Sequence, residues 1–292
     1  MNTHNRFDGY ANDYTIGRPQ YSDELIDHIL EKSNLSGDFT IADIGSGTGK
    51  FSSQLLARGC EVYAVEPNDD MRNTAESELS SYKNFHSIKG DAENTTLADH
   101  SVDLITTAQA FHWFEVGKFR SECKRIVKEN GKISLIWNVR DMASPLNQEL
   151  YEIYKKYCPR FIGFNGGIIK DDPRIKEFFV NGYEYISCMN PLTLDKEKFI
   201  KRSLSGSYSI KEGDRCYDEY IASIVEVFNR YCKQGYVTIP NSSVAYIGRK
   251  LIILDRQKVS PTEGKYPITA LRAKAPVITT HGFTLLSIRL IT

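Results

Sequence analysis

At 292 residues, with 41% hydrophobic and 25% charged residues, the chain can hold one large or two small globular domains of ordinary soluble composition. Lys+Arg and Asp+Glu both number 37, so no global field draws in nucleic acid or an anionic membrane; a small-molecule partner is expected, with the chain a monomer or homodimer. The six cysteines form no C-x-x-C pair, the six histidines are equally dispersed, and neither a secretory layout nor an apolar run near ~20 residues occurs, so a reduced, cytoplasmic, metal-free protein is expected.

The chain opens on an aromatic segment with Phe7, Tyr10, Tyr14 and Tyr21, where Tyr10 and Tyr14 would share a face if helical. Residues 22–36 carry Leu25, Ile26, Ile29 and Leu30 at helical spacing, with Ser22 as N-cap, acids in the first turn and Gly37 beyond the end. Residues 1–38 therefore read as a cap segment and helix. "FTIADIG" then suits a buried parallel strand, 50–59 a short helix and "EVYAVEP" a second strand. A helix over 69–82, a weak strand at "FHSIKGD", the strand "VDLITTAQA", a helix near 115–129 and the strand "KISLIWNV" continue the alternation. Strand alternating with helix at this interval predicts an α/β fold, Rossmann-like and doubly wound, with a mostly parallel seven-stranded sheet and helices on both faces.

Residues 145–182 lose that regularity: a helix over 146–157 precedes the glycine-rich "FIGFNGG", an insertion that could serve as a lid. Strand-like "YEYISCMNPLTL", a helix over 194–203 and an amphipathic helix over 218–234 follow. "GYVTIP" and "SSVAYIGR" read as an antiparallel terminal hairpin around a Pro-Asn-Ser turn. Residues 39–250 thus form the main domain. The segment 251–292 differs in kind, with six Lys/Arg against two Asp/Glu while residues 1–250 hold 31 against 35, and reads as a peripheral extension or a non-native tail.

"IADIGSGTGKF", residues 41–51, is the most informative stretch. A P-loop would need glycine at position 44 and Ser or Thr at 51, where Ile44 and Phe51 stand. A dinucleotide fingerprint starting at Gly45 would need glycine at 50, where Lys50 stands; the spacing is instead G-x-G-x-G through Gly45, Gly47 and Gly49. Asp43, at the mouth of the strand, disfavours a pyrophosphate and suits the sulfonium and ammonium of S-adenosylmethionine. Glu66, 21 residues after Gly45 at the end of the second strand, is placed to accept hydrogen bonds from ribose hydroxyls.

These stretches together resemble a class I S-adenosylmethionine-dependent methyltransferase. The resemblance is to the small-molecule group (methyltransferase type 11) that includes trans-aconitate and ubiquinone/menaquinone biosynthesis methyltransferase-like enzymes. It rests on "IADIGSGTG", "VYAVEPNDDM", "GDAE", "VDLITTAQAFHWF" and the N-terminal "FDGYANDYTIGRPQY", covering most of residues 7–140. The resemblance implies that Gly45, Gly47 and Gly49 line the methionine and ribose, with Asp43 at the methionine end and Glu66 on the ribose. It also implies Asn68 and Met71 beside the adenine, Asp91 near its amino group and Ala92 against the ring.

Gln109 follows the fourth strand, where such sheets bind ligands, and Phe111, His112 and Trp113 could wall the sulfonium and the acceptor. His112 is the candidate general base, needed for a hydroxyl or carbon acid but not for a carboxylate. Methyl transfer is an in-line displacement, so the protein's main work is alignment and water exclusion. Tyr10 and Tyr14 belong to the segment that could cover the site, Arg18 and Arg140 could each bind an acceptor carboxylate, and Trp137 and Asn138 could face the same crevice. An NAD(P)-linked oxidoreductase and a non-catalytic adenosine-ligand binding protein on the same fold remain as alternatives.

Overall fold

The computed structural model describes residues 19–33, 39–164, 168, 170–206 and 208–249. Tyr10, Tyr14 and Arg18, Gly37 and the segment 251–292 lie outside the described residues. In chain order the elements begin with α1 (Asp23–Lys32), β1 (Thr40–Ile44), α2 (Lys50–Leu56), β2 (Glu61–Val65), α3 (Asp69–Leu79) and β3 (Phe85–Ile88). They continue with β4 (Val102–Ala108), a 3₁₀ turn (Phe111–Trp113), α4 (Val116–Ile126), β5 (Val127–Arg140), α5 (Pro145–Tyr157) and α6 (Pro173–Phe178). The last are β6 (Glu184–Met189), β7 (Leu192–Leu194), α7 (Lys196–Leu204), α8 (Tyr217–Tyr231), β8 (Val237–Ile239) and β9 (Asn241–Arg249).

Seven strands form one sheet in the order β3-β2-β1-β4-β5-β9-β6. The pairs from β3 through β5 are parallel, and β9 runs antiparallel to both β5 and β6. The mostly parallel, doubly wound sheet expected from the alternation of elements is therefore present. The partners of the last strands differ from a simple hairpin around Pro240. Val237–Ile239 pairs with Leu192–Leu194 in a separate two-stranded sheet, while Asn241–Arg249 inserts between β5 and β6. The run 183–194 is likewise two strands, because Pro191 has no N–H to continue a ladder and the chain changes sheets there.

Period-two alternation sends side chains to opposite faces. Ile133, Leu135 and Trp137 of β5, with Val244 and Tyr246 of β9, enter the core under α4 and α6, where Phe119 and Phe178 stack at 5.2 Å. Ile136, Ala245 and Ile247 enter the opposite core, under α1 and α2, with Leu25, Ile29 and Leu55. Trp137 is thus a core residue, 1% exposed, and the expectation that it walls the crevice beside Asn138 is corrected: neighbours on a strand cannot share a face. Each such large apolar side chain contributes about 1.5–3 kcal/mol by leaving water. A third cluster gathers Leu150, Tyr154, Phe199, Tyr220 and Phe228 from α5, α7 and α8 beside the small sheet. The region after β5 is therefore a helical unit with its own core, built from residues well beyond 145–182.

Ser22 precedes α1, but its side chain makes no capping bond; its backbone N–H donates to Ser243 Oγ at 2.9 Å, tying the helix start to β9. Among the described residues no helix is long and apolar enough to cross a membrane.

Candidate functional site

Strand order reverses between β1 and β4, so the connections leaving these strands diverge and open a crevice at their carboxyl ends. A cleft of about 230 Å³ occupies it. Its floor is the loop after β1, which turns through Gly45, Gly47 and Gly49 at φ of 71°, 58° and 75°. A Cβ on Gly45 would lie 2.6 Å from Ala110 Cβ, so only glycine lets the loop approach the β4 turn this closely. Gly49 does not line the cleft. It precedes α2, and a Cβ there would meet Leu79 Cδ1 at 2.6 Å, so it serves the packing of α2 on α3. Gly49→Ala should destabilise the fold by about 1–2 kcal/mol through its left-handed backbone, read as a lower chemical-denaturation midpoint.

Glu66, at the end of β2, is buried and fixed by two backbone donors: Gly47 N–H to Oε2 and Asn68 N–H to Oε1, both at 2.9 Å. The carboxylate thereby links the two loops and is presented on the cleft wall. Met71, 3% exposed, and Ala92 line the same wall, giving it a flat apolar section. Asp91 lines the rim; its Oδ1 accepts from the N–H groups of Glu93 and Asn94 at 2.8 Å, so it also shapes its own turn. Asn68 is not on the wall. Its Oδ1 caps α3 by accepting from Met71 N–H at 3.0 Å, and its own N–H orients Glu66.

A smaller cavity adjoins the cleft through Gly45, Ala108 and Gln109, and Asp43 borders it. Asp43 is 1% exposed and accepts from Ser52 Oγ at 2.6 Å and Thr106 Oγ1 at 3.0 Å. Burial pushes its carboxyl up to about 6, against the pull of those two hydroxyls and with a further push from Glu66. Lys50 borders the same cavity, its ammonium driven down by burial and held up by Glu78. Gln109 sits at φ 58°, unusual for a residue with a side chain, and is held there by its N–H to Ile136 O at 2.9 Å and its Nε2 to Asn138 O at 3.1 Å. Asn138 borders the cavity, but its amide is engaged: Oδ1 accepts from Ser243 Oγ and Asn190 Nδ2, and Nδ2 donates to Gln20 O.

The "FHWF" cluster divides its duties because a 3₁₀ turn rotates successive side chains by about 120°. Phe111 is 1% exposed and packs edge-on against Trp137 and Phe178 in the core. Trp113 and Phe114 face the cleft. His112 lines neither cavity and packs on Trp113 with ring centroids 4.7 Å apart. Arg140 is also away from both cavities. It is buried beside α5, donating to Asn147 Oδ1 at 3.2 Å with its guanidinium 4.7 Å from the Phe164 ring.

Residues that the sequence reading missed include Phe114, Pro67 and Glu93 on the cleft and Lys50 and Arg202 on the smaller cavity. Phe114, Pro67 and Glu93 each adjoin a recognised motif residue and were within reach of it. Arg202 has no local signal: it lies on α7, and only the packing of the helical unit brings it to the end of β1.

A crevice at the switch point, floored by glycines and edged by buried carboxylates, defines an α/β protein with a small-ligand cleft at the carboxyl ends of its strands. Residues 42–135 match the family described as methyltransferase domain. A methyltransferase-like protein of Schizosaccharomyces pombe is 28% identical over 207 residues, covering 70% of this chain and 78% of its own length. A Mycobacterium bovis protein described as an uncharacterised methyltransferase is 33% identical over 166 residues, which span 57% of this chain and 62% of that relative. A solved structure from Anabaena variabilis, described as a candidate methyltransferase of an antibiotic biosynthesis pathway, shares the fold at TM-score 0.56 and 23% identity. It aligns with 79% of this chain and 98% of its own. The match to the methyltransferase domain, the relatives and the shared fold together support a class I S-adenosylmethionine-dependent methyltransferase.

Proposed function

We propose that the cleft binds S-adenosylmethionine and that its methyl group passes to a small-molecule acceptor, a carboxylic acid being the class favoured. The observation that carries this reading is the Glu66 carboxylate, presented on the cleft wall and hydrogen-bonded to the glycine floor. The cofactor supplies an electrophilic methyl group on a positively charged sulfur. Glu66 would accept from the ribose hydroxyls, Gly45 and Gly47 would let the backbone lie against the ligand, and Met71, Ala92 and Asp91 would hold the adenine. Asp43 would offset the positive charge at the methionyl end from beneath the loop. Gln109 stands between the two cavities and Trp113 lines the cleft; both would position the acceptor, with Asn138 fixing Gln109 through its carbonyl.

Alignment and dryness are what these residues contribute, an effect that can reach ~7–11 kcal/mol. A carboxylate acceptor is already nucleophilic at neutral pH, so no proton-transfer role is assigned to His112. Tyr10, Tyr14 and Arg18 remain in this reading as a cover over the acceptor. Arg140, which donates to Asn147 on α5, is given no contact with the acceptor.

Isothermal titration with S-adenosylhomocysteine and with NAD, followed by labelled methyl transfer to carboxylic-acid and phenol panels, tests the reading. Binding of the homocysteine compound and labelling of an acid are expected; a preference for NAD, or labelling of phenols alone, would overturn it. The domain assignment makes a separate prediction. Removing residues 251–292 should leave affinity for S-adenosylhomocysteine within about threefold, and an insoluble or non-binding truncation would show the segment to be structural.

A further inference from the structure

Cysteine and histidine are scattered along the sequence, yet the fold brings three different metal-ligating groups together at the sheet edge farthest from β3. Glu24 and His28 are four residues apart on α1 and so share a face. That face lies against β6, which carries Cys188. The ligand atoms of Glu24, His28 and Cys188 all lie within 4.8 Å of one another. The Cys188 thiol hydrogen-bonds to Glu24, and His28 Nε2 is 3.8 Å from Glu24 Oε1. The other ring nitrogen, Nδ1, is 3.7 Å from Glu31 Oε2. One nitrogen thus faces the cluster while the second faces another carboxylate, the arrangement that orients a metal-bound imidazole.

We propose that Glu24, His28 and Cys188 form a binding site for a divalent transition-metal ion of the zinc class, which clips α1 to the edge strand β6. The donor set is one oxygen, one nitrogen and one sulfur, which suits zinc or cobalt and not magnesium or calcium, whose ligands are oxygens. Tetrahedral bond lengths place ligand atoms about 3.3–3.7 Å apart, so the cluster has to contract by about 1 Å. The side chains of Glu24 and His28, 69% and 42% exposed, are free to turn, whereas Cys188 is buried and set by the strand. An ion therefore enters from solvent and meets sulfur last. Binding breaks the Cys188 S–H bond and forms a metal–thiolate bond, with the proton released to water. Glu24 and the neutral imidazole displace two metal-bound waters, and no electron is exchanged.

The segment leading into α1 is already pinned to the sheet without the clip. Gln20 O accepts from Asn138 and Asn190, Ser22 N–H donates to Ser243, and Tyr21 borders the smaller cavity. At the other end of α1 the Lys32–Glu184 pair, 2.8 Å, already ties the helix to β6. The site is outside the cofactor cleft, so its test is independent of the proposed reaction.

The test is a cobalt(II) titration of the full-length, chelator-stripped protein under reducing conditions, followed by absorbance. Expected are saturation at one equivalent, a thiolate-to-cobalt charge-transfer band in the near ultraviolet and visible bands of tetrahedral cobalt, all displaced by zinc. Cys188→Ser should abolish the charge-transfer band. His28→Gln and Glu24→Gln, at partly exposed positions that leave the fold intact, should each weaken cobalt binding at least tenfold, and Glu31→Gln about tenfold. Affinity for S-adenosylhomocysteine, measured in parallel, should stay unchanged in these glutamine variants and serves as their folding control. Absence of the band, its survival in Cys188→Ser, or unchanged affinity in both His28→Gln and Glu24→Gln would overturn the site.

Discussion

Glu66→Ala should lower affinity for S-adenosylhomocysteine about 100-fold while leaving the far-ultraviolet circular dichroism unchanged. The side chain accepts from Gly47 N–H and Asn68 N–H at 2.9 Å and presents the same carboxylate to the cleft. In the proposed reading, losing it removes two charge-assisted bonds to the ribose hydroxyls, each worth about 1.5–3 kcal/mol. It also releases the glycine floor from the β2 turn. Glu66→Gln separates these effects. The amide keeps the volume but can offer an acceptor to only one of the two backbone N–H groups, so it should lose a large part of the affinity without opening a cavity. Titration calorimetry on the three proteins checks this, and equal affinities would remove Glu66 from the ligand site.

Asp43→Asn should act in opposite directions on folding and on binding. The carboxyl is raised to about 6 by burial, so folding favours its neutral form. Its stabilising contribution is fully present below the unfolded value near 3.8 and is lost as pH rises through about 6. Near pH 7.5 the ionised group therefore opposes folding by an order-of-magnitude 3 kcal/mol, from about two pKa units at ~1.4 kcal/mol each. The asparagine variant should be more stable than the parent at pH 7–8 by about 1–3 kcal/mol, the gap closing below pH 4. Denaturant melts at pH 4, 6 and 7.5 check the sign. Binding of S-adenosylmethionine should instead weaken about tenfold or more at pH 7.5 in the variant, because the charge opposing the sulfonium is gone. The parent's affinity should rise between pH 5 and 7, and the variant's should stay flat. A parent more stable than the variant at pH 7.5 would contradict the buried-charge account.

Much of the cleft's lining was legible because it is local. Gly45, Gly47, Glu66, Asp91 and Ala92 lie on short connections after strands and Met71 in the first turn of the helix that follows one, so a strand-end position in the sequence becomes a wall position in the crevice. Asn68 and Gly49 stand outside the cleft lining: proximity to the motif is legible, but a helix cap and a helix-packing contact compete for the same positions. His112 and Phe111 show the limit more sharply. They neighbour Trp113 and Phe114 in sequence, and one residue of rotation along a 3₁₀ turn decides which ring meets ligand and which meets core.

By itself the sequence determined the order of strands and helices through residue 140, the glycine loop and the acid at the end of β2, because hydrophobic periodicity and backbone sterics act over a few residues. Tertiary structure alone decided that the strand after Pro240 pairs with β5 and β6, that Arg140 stacks on Phe164 away from the cleft, and that Arg202 reaches the end of β1. The same holds for Cys188, which no spacing links to Glu24 and His28. Contacts between residues far apart in the chain depend on how whole elements pack, and that energy is spread over buried surface that no short motif records.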